Sequence, residues 1–65
     1  MRPLDPYEID LLRMMTGGPE MPWGAAMSVA LEYLAGRGFC SRGPNYQITE
    51  AGRLVLAAVE GENHA

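Results

Sequence analysis

The sequence predicts a small α+β domain ordered helix–loop–helix–β-hairpin–helix, with helices at about 5–16, 24–37 and 50–60 and a hairpin at about 39–48. Three observations carry that prediction. Apolar residues recur at helical spacing through Trp23, Met27, Ala30, Leu31 and Leu34, within and just before the stretch AAMSVALEYLAGRGF. That stretch stops at Gly38, where a helix ending needs a left-handed residue without a Cβ. After it, Phe39-Cys40-Ser41-Arg42 and Tyr46-Gln47-Ile48 form two short extended runs around Gly43-Pro44-Asn45. Pro at the second turn position and Asn at the third suit a type I or type II turn.

The first helix follows a short lead-in, Met1 to Leu4. The Asp5 carboxylate caps the first turn, and Pro6 occupies the first helical position, where its missing N–H costs nothing. Glu8, three residues after Asp5, completes a capping box, and Leu4 and Ile9 are spaced as a hydrophobic staple. Ile9, Leu12 and Met15, with Leu11 beside them, make the expected buried stripe. Tyr7, Asp10, Arg13 and Met14 fall outside it or at its margin. The helix ends before Gly17-Gly18.

The connector GGPEMPW reads as a rigid, extended loop, because Pro19 and Pro22 disfavour helix at the residues before them. Met21 and Trp23 are expected to tuck from it into the core. In the central helix, Arg37 suits the negative end of the dipole, and Phe39 is placed to fold back onto Leu34. Phe39, Tyr46 and Ile48 are the hairpin residues expected to face the core. Thr49 caps the last helix with Glu50 in its first turn. Ala51, Leu54, Val55 and Ala58 form its expected stripe, Gly61 its end, and 61–65 a frayed tail.

Sixty-five residues make one domain, 1–65, with a marginal core, since a chain this short buries only about 60% of its unfolded surface. One cysteine excludes an intrachain disulfide, and Cys40 with the single His64 cannot build a zinc site alone. Tight packing, a second copy or a partner must therefore supply what a staple would. No run of about 18 apolar residues suggests a membrane span, and the first residues lack a signal-peptide layout. A reduced, cytoplasmic setting is the default. The net charge is −3, with five arginines and no lysine, so there is no general attraction to phosphate backbones. That usage is compatible with a GC-rich bacterial or phage source.

Two motifs go further. LEYLAGRGF, with Leu31, Leu34, Gly38 and Phe39, is a helix ending in glycine followed by apolar residues. ITEAGR, Ile48 to Arg53, has an apolar residue, Thr, two variable residues and Gly. Both, at this separation, resemble the winged-helix domain of bacterial transcription regulators of the MarR and PadR type. The resemblance covers roughly the second half of the chain and the first helix. It implies that the central helix is the DNA-reading helix and that the hairpin is the wing. In such proteins another helix precedes the reading helix and supports it. Here only GGPEMPW stands in that place, so the helix-turn-helix is truncated.

The outward face of the central helix carries Ala25, Ser28, Val29, Glu32, Ala35 and Gly36, with Tyr33 alongside. None is Arg, Lys, Asn or Gln, the residues on which base-edge recognition mainly rests, and Glu32 would repel phosphates. Ala25, Val29, Glu32 and Tyr33 are therefore the candidate protein contacts. Ser28, Arg42, Asn45 and Gln47 are the candidate nucleic-acid contacts. No enzyme is expected. The sequence holds no phosphate loop or metal motif, and Ser28 and Ser41 have no base nearby in sequence. The pairs Glu8–Asp10 and Glu60–Glu62 are explained by capping and solvation, and Cys40 by packing. No catalytic residue, cofactor, metal or small-molecule substrate is assigned. The expected function is a non-enzymatic interaction or regulatory module on a winged-helix scaffold, contacting a protein, a second copy included, through the central helix. The alternative is a small DNA-binding transcriptional regulator that uses wing and central helix.

Overall fold

The structure, a computed structural model, describes residues 4–43 and 45–62, with Glu62 described through its backbone only. Among the described residues are three helices: α1 (Pro6–Met15), α2 (Ala25–Gly36) and α3 (Glu50–Glu62). Helix α1 packs against both of the others, and no close backbone approach links α2 to α3. The first helix of the sequence is thus the middle one in space. Leu11 and Leu12 of α1, Met27, Ala30, Leu31 and Leu34 of α2, Phe39 and Cys40 of the following loop, and Leu56 of α3 form one core.

The start of α1 follows from its sequence. Glu8 N–H donates to Asp5 Oδ1 at 3.0 Å and Asp5 N–H donates to Glu8 Oε1 at 3.1 Å, the reciprocal capping box. Leu4 and Ile9 are both half-buried against the core, as a staple requires. The buried stripe is rotated from the expected one. Leu11, beside the predicted line, is as fully buried as Leu12, whereas Ile9 and Met15 lie at the core's edge.

From Gly18 to Trp23 the chain contains no helical turn. Met21 does tuck in, with its N–H directed at Met14 Sδ at 3.4 Å. Trp23 does not: it is 71% exposed. Gly24, next in the chain and the residue before α2, is fully extended (φ 178°, ψ −176°).

Helix α2 ends as expected. Gly38 has φ +82°. Phe39 N–H donates to Leu34 O at 2.9 Å and Gly38 N–H to Ala35 O at 3.0 Å, the paired bonds of a Schellman ending. Leu34 and Phe39 are both buried.

The hairpin is the main correction. No strand forms among the described residues, so the fold is all-α and not α+β. Residues 39–48 make a loop with one isolated antiparallel bridge, Cys40–Ile48. Its two flanking bonds are present, from Ser41 N–H to Gln47 O at 2.8 Å and from Thr49 N–H to Phe39 O at 3.1 Å. The ladder goes no further because Gln47 N–H is taken by the Ser41 hydroxyl at 3.1 Å rather than by a facing carbonyl. Ser41 Oγ–H in turn donates to Asn45 O at 3.4 Å. Phe39 is nonetheless buried and Tyr46 and Ile48 half-buried on the core. Pro44, read as the second turn residue, lies outside the described residues, as do His64 and the rest of the tail beyond Glu62.

Thr49 caps α3, its Oγ1 accepting from Gly52 N–H at 3.2 Å. The helix buries Gly52 and Leu56 and half-buries Val55 and Val59, whereas Ala51, Leu54 and Ala58 face outward. The stripe is rotated from the expected one because Gly52, which has no side chain to count, packs its backbone against Phe39 and Ile48. Gly61 does not end α3, which runs through it to Glu62.

Candidate functional site

The outward face of α2 is the surface the sequence singled out, and the structure leaves most of it open. Ala25, Ser28, Val29, Glu32 and Gly36 are exposed and Tyr33 and Ala35 half-buried. Val29 stands at 73% exposure among the larger apolar side chains, with Trp23 just ahead of the helix at 71%. Neither can be assigned to the core.

Beside this face α2 and the first turn of α1 enclose a shallow groove of about 480 Å³. Ala25, Ala26, Val29 and Ala30 supply its apolar side, Tyr7 and Tyr33 its rings, and Asp5 and Glu8 its charge. Three of the four candidate protein contacts, Ala25, Val29 and Tyr33, are thereby brought together. Ala26 and Tyr7 were missed by the sequence reading, which considered α2 as an isolated helix and not the edge it shares with α1. The pairing of Asp5 with Glu8 was legible, since the capping box fixes both carboxylates at the start of α1.

Glu32, the fourth candidate, is not in the groove. Its carboxylate forms an ion pair with the Arg42 guanidinium from the loop after α2. One pair thus joins the residue that would repel phosphates to the residue that would attract them. Both side chains are more than half exposed, so the pair is screened and weak. Ser28, Asn45 and Gln47 are exposed. Of the other described arginines, Arg13 is engaged between Asp10 at 3.3 Å and Glu60 at 3.2 Å, tying α1 to α3, while Arg37 and Arg53 are exposed.

Cys40 is buried, its thiol directed at Leu31 O at 3.9 Å. Burial pushes its pKa up, nearby Arg42 pulls it down, and Glu32 pushes it up again, for a net rise above the ordinary thiol value. A raised thiol pKa is the opposite of what nucleophilic chemistry needs. No group of three or more His, Cys, Asp or Glu residues that could hold a metal occurs among the described residues. No helix among them is long and apolar enough to cross a membrane. Comparison of the chain with protein-family models, with curated proteins and with solved structures finds no match in any of the three.

Proposed function

We propose that this protein is a non-enzymatic interaction module that docks a protein partner on the outer face of α2. One observation carries the reading: Val29 projects from α2 at 73% exposure along a groove whose other α2 lining residues are Ala25, Ala26, Ala30 and Tyr33. Small side chains let another backbone approach closely, and an apolar face left open on so small a domain favours a contact surface. The buried, deactivated Cys40 thiol adds no support for a catalytic role.

Duplex DNA is the second reading, favoured by the exposure of Ser28, Arg42, Asn45 and Gln47. Against it stands the ion pair that occupies Arg42, together with a net charge of −3. An NMR titration of the labelled chain separates the two. Under the docking reading, shifts induced by a partner or by rising protein concentration fall on Ala25, Val29 and Tyr33. Shifts centred on Ser28, Arg42, Asn45 and Gln47 on adding duplex at low salt would favour DNA. A chain that stays monomeric at high concentration, and that keeps every partner after Val29→Arg, rejects docking.

A further inference from the structure

We infer that the outer side of α3 is a self-association face, on which a second copy of this chain packs its own α3 in antiparallel orientation. Helix α3 is apolar on both sides. It turns Gly52, Leu56 and Val59 toward the core, yet its opposite side carries Ala51, Leu54, Ala57, Ala58 and Gly61, all exposed, with Leu54 at 66%. A helix that is apolar all round normally has both sides covered. Leu54, Ala58 and Gly61 follow one another at helical spacing and form one strip, bordered by Ala51 and Ala57. Around the one large residue, Leu54, the neighbours are small enough for a second helix to come close.

The charges beside the strip name the occupant. Arg53 and Glu60 stand one heptad apart, and so lie along the same flank of it. In a two-fold contact the same patch faces itself, and with two helices run antiparallel each flank meets its own counterpart in reverse order. Arg53 of each copy then meets Glu60 of the other. The register that makes these two pairs also sets Leu54 of each copy against Ala57 of the other, and Glu50 against Gly61, which has no side chain to displace. Both charges are available. Arg53 is exposed and makes no ion pair among the described residues. Glu60 accepts Arg13 Nε–H through Oε2 at 3.2 Å and keeps Oε1 for a further donor. A flank that complements itself in this way suits a second copy, and a chain too short for a large core gains most from one. Helix α2 makes no close backbone approach to α3, so this pairing uses a different surface from the α2 face and does not rest on docking there.

The test uses the full chain in sedimentation equilibrium and in 15N spectra recorded over rising concentration. A monomer–dimer equilibrium should appear, with concentration-dependent shifts on Ala51, Leu54 and Ala58. Leu54→Glu, at an exposed position that the fold tolerates, should abolish it. Arg53→Glu and Glu60→Arg each turn both attractive pairs into repulsive ones, so either variant alone should dimerise about tenfold or more weakly than wild type. Mixed one to one, the two variants should pair with each other at wild-type strength or better, since every Arg then faces a Glu. Thermal melts of the dilute variants separate unfolding from loss of pairing. A chain that stays monomeric at millimolar concentration overturns the inference, as does dimerisation untouched by Leu54→Glu. Charge variants that show no preference for each other in the mixture overturn the antiparallel register. Concentration-dependent shifts confined to Ala25, Val29 and Tyr33 would put the self-contact on α2, which overturns pairing through α3 while supporting docking on α2.

Discussion

The backbone of Gly52, in the first turns of α3, lies directly against the carbonyl group of Phe39. A β-carbon at Gly52 would press on the Phe39 oxygen, stand 3.0 Å from its carbonyl carbon and 2.8 Å from Ile48 Cγ1. Two further bonds reach the same spot. Phe39 O accepts Thr49 N–H at 3.1 Å, and Gly38 O accepts the Thr49 hydroxyl at 2.6 Å. The glycine-ended helix and the Thr-x-x-Gly segment, far apart in sequence, are one knot in space. Gly52→Ala is therefore expected to destabilise the protein by about 1–3 kcal/mol through overpacking. Helix propensity alone would favour Ala by about 1 kcal/mol. A melting temperature unchanged or raised would show that the close approach does not exist.

Gly38 and Gly36 make a matched pair two residues apart. Gly38 sits at φ +82°, where a β-branched residue is strained whatever the space around it, although nothing lies within 4 Å. Gly38→Val should cost more than about 1 kcal/mol. Gly36 is the last residue of α2, also with open space around its Cα and no positive φ, so Gly36→Ala should be neutral or mildly stabilising. Thermal melts of both variants decide the matter, and a Gly38→Val protein that melts with wild type would displace the helix end.

How far the sequence could be read depended on which groups carry local signals. The capping box at Asp5 and Glu8, the Schellman ending at Gly38 and the Thr49 cap are backbone events written by side-chain type, and the structure has all three. The buried face of α2 was legible because Met27, Ala30, Leu31 and Leu34 leave one choice of face. Helix α3 offered two, since apolar residues ring it. Only the Gly52–Phe39 approach selects Val55, Leu56 and Val59 inward and leaves Leu54 66% exposed. The hairpin failed for a reason invisible to alternation, the diversion of Gln47 N–H to the Ser41 hydroxyl. At the candidate site, α2 could be read alone, but the groove needs α1 beside it, which is a tertiary fact.

Arg42 and Glu32 should contribute little to stability. Both are more than half exposed, and exposed pairs give about 0.2–1 kcal/mol in double-mutant cycles. A cycle of Arg42→Ala and Glu32→Ala should return a coupling of that size and fade in high salt. For DNA the same pair gives a sharper expectation. If Arg42 is a phosphate contact, Glu32→Ala frees it and should raise duplex affinity at low salt, while Arg42→Ala should flatten the salt slope. If the docking reading holds, neither change alters gel-shift behaviour.

The Cys40 thiol should react slowly and only through opening of the structure. It is buried, and its pKa is raised above the ordinary 9.0, chiefly by burial. With the folded pKa above the unfolded one, the folded chain binds the proton more tightly. This contribution to stability is complete below the unfolded thiol pKa and is lost as pH rises through the folded one. Unfolding free energy should therefore fall above about pH 9, and less so in Cys40→Ala, which lacks the thiol. Thiol labelling should speed up with added denaturant. Fast labelling under native conditions would place Cys40 at the surface.

Trp23, the single tryptophan, makes the loop before α2 directly observable. An indole 71% exposed should emit like one in water, so emission should shift little on unfolding in denaturant. Trp23→Ala should change stability by no more than about 0.5 kcal/mol, the range of surface substitutions, against about 3–5 kcal/mol for a buried tryptophan. The two measurements are independent, since one reads the environment of the ring and the other its energetic share. A strongly blue-shifted native emission, or a large loss of stability on truncation, would return Trp23 to the core. A blue shift that develops only when a partner is added would instead place the ring in the partner contact.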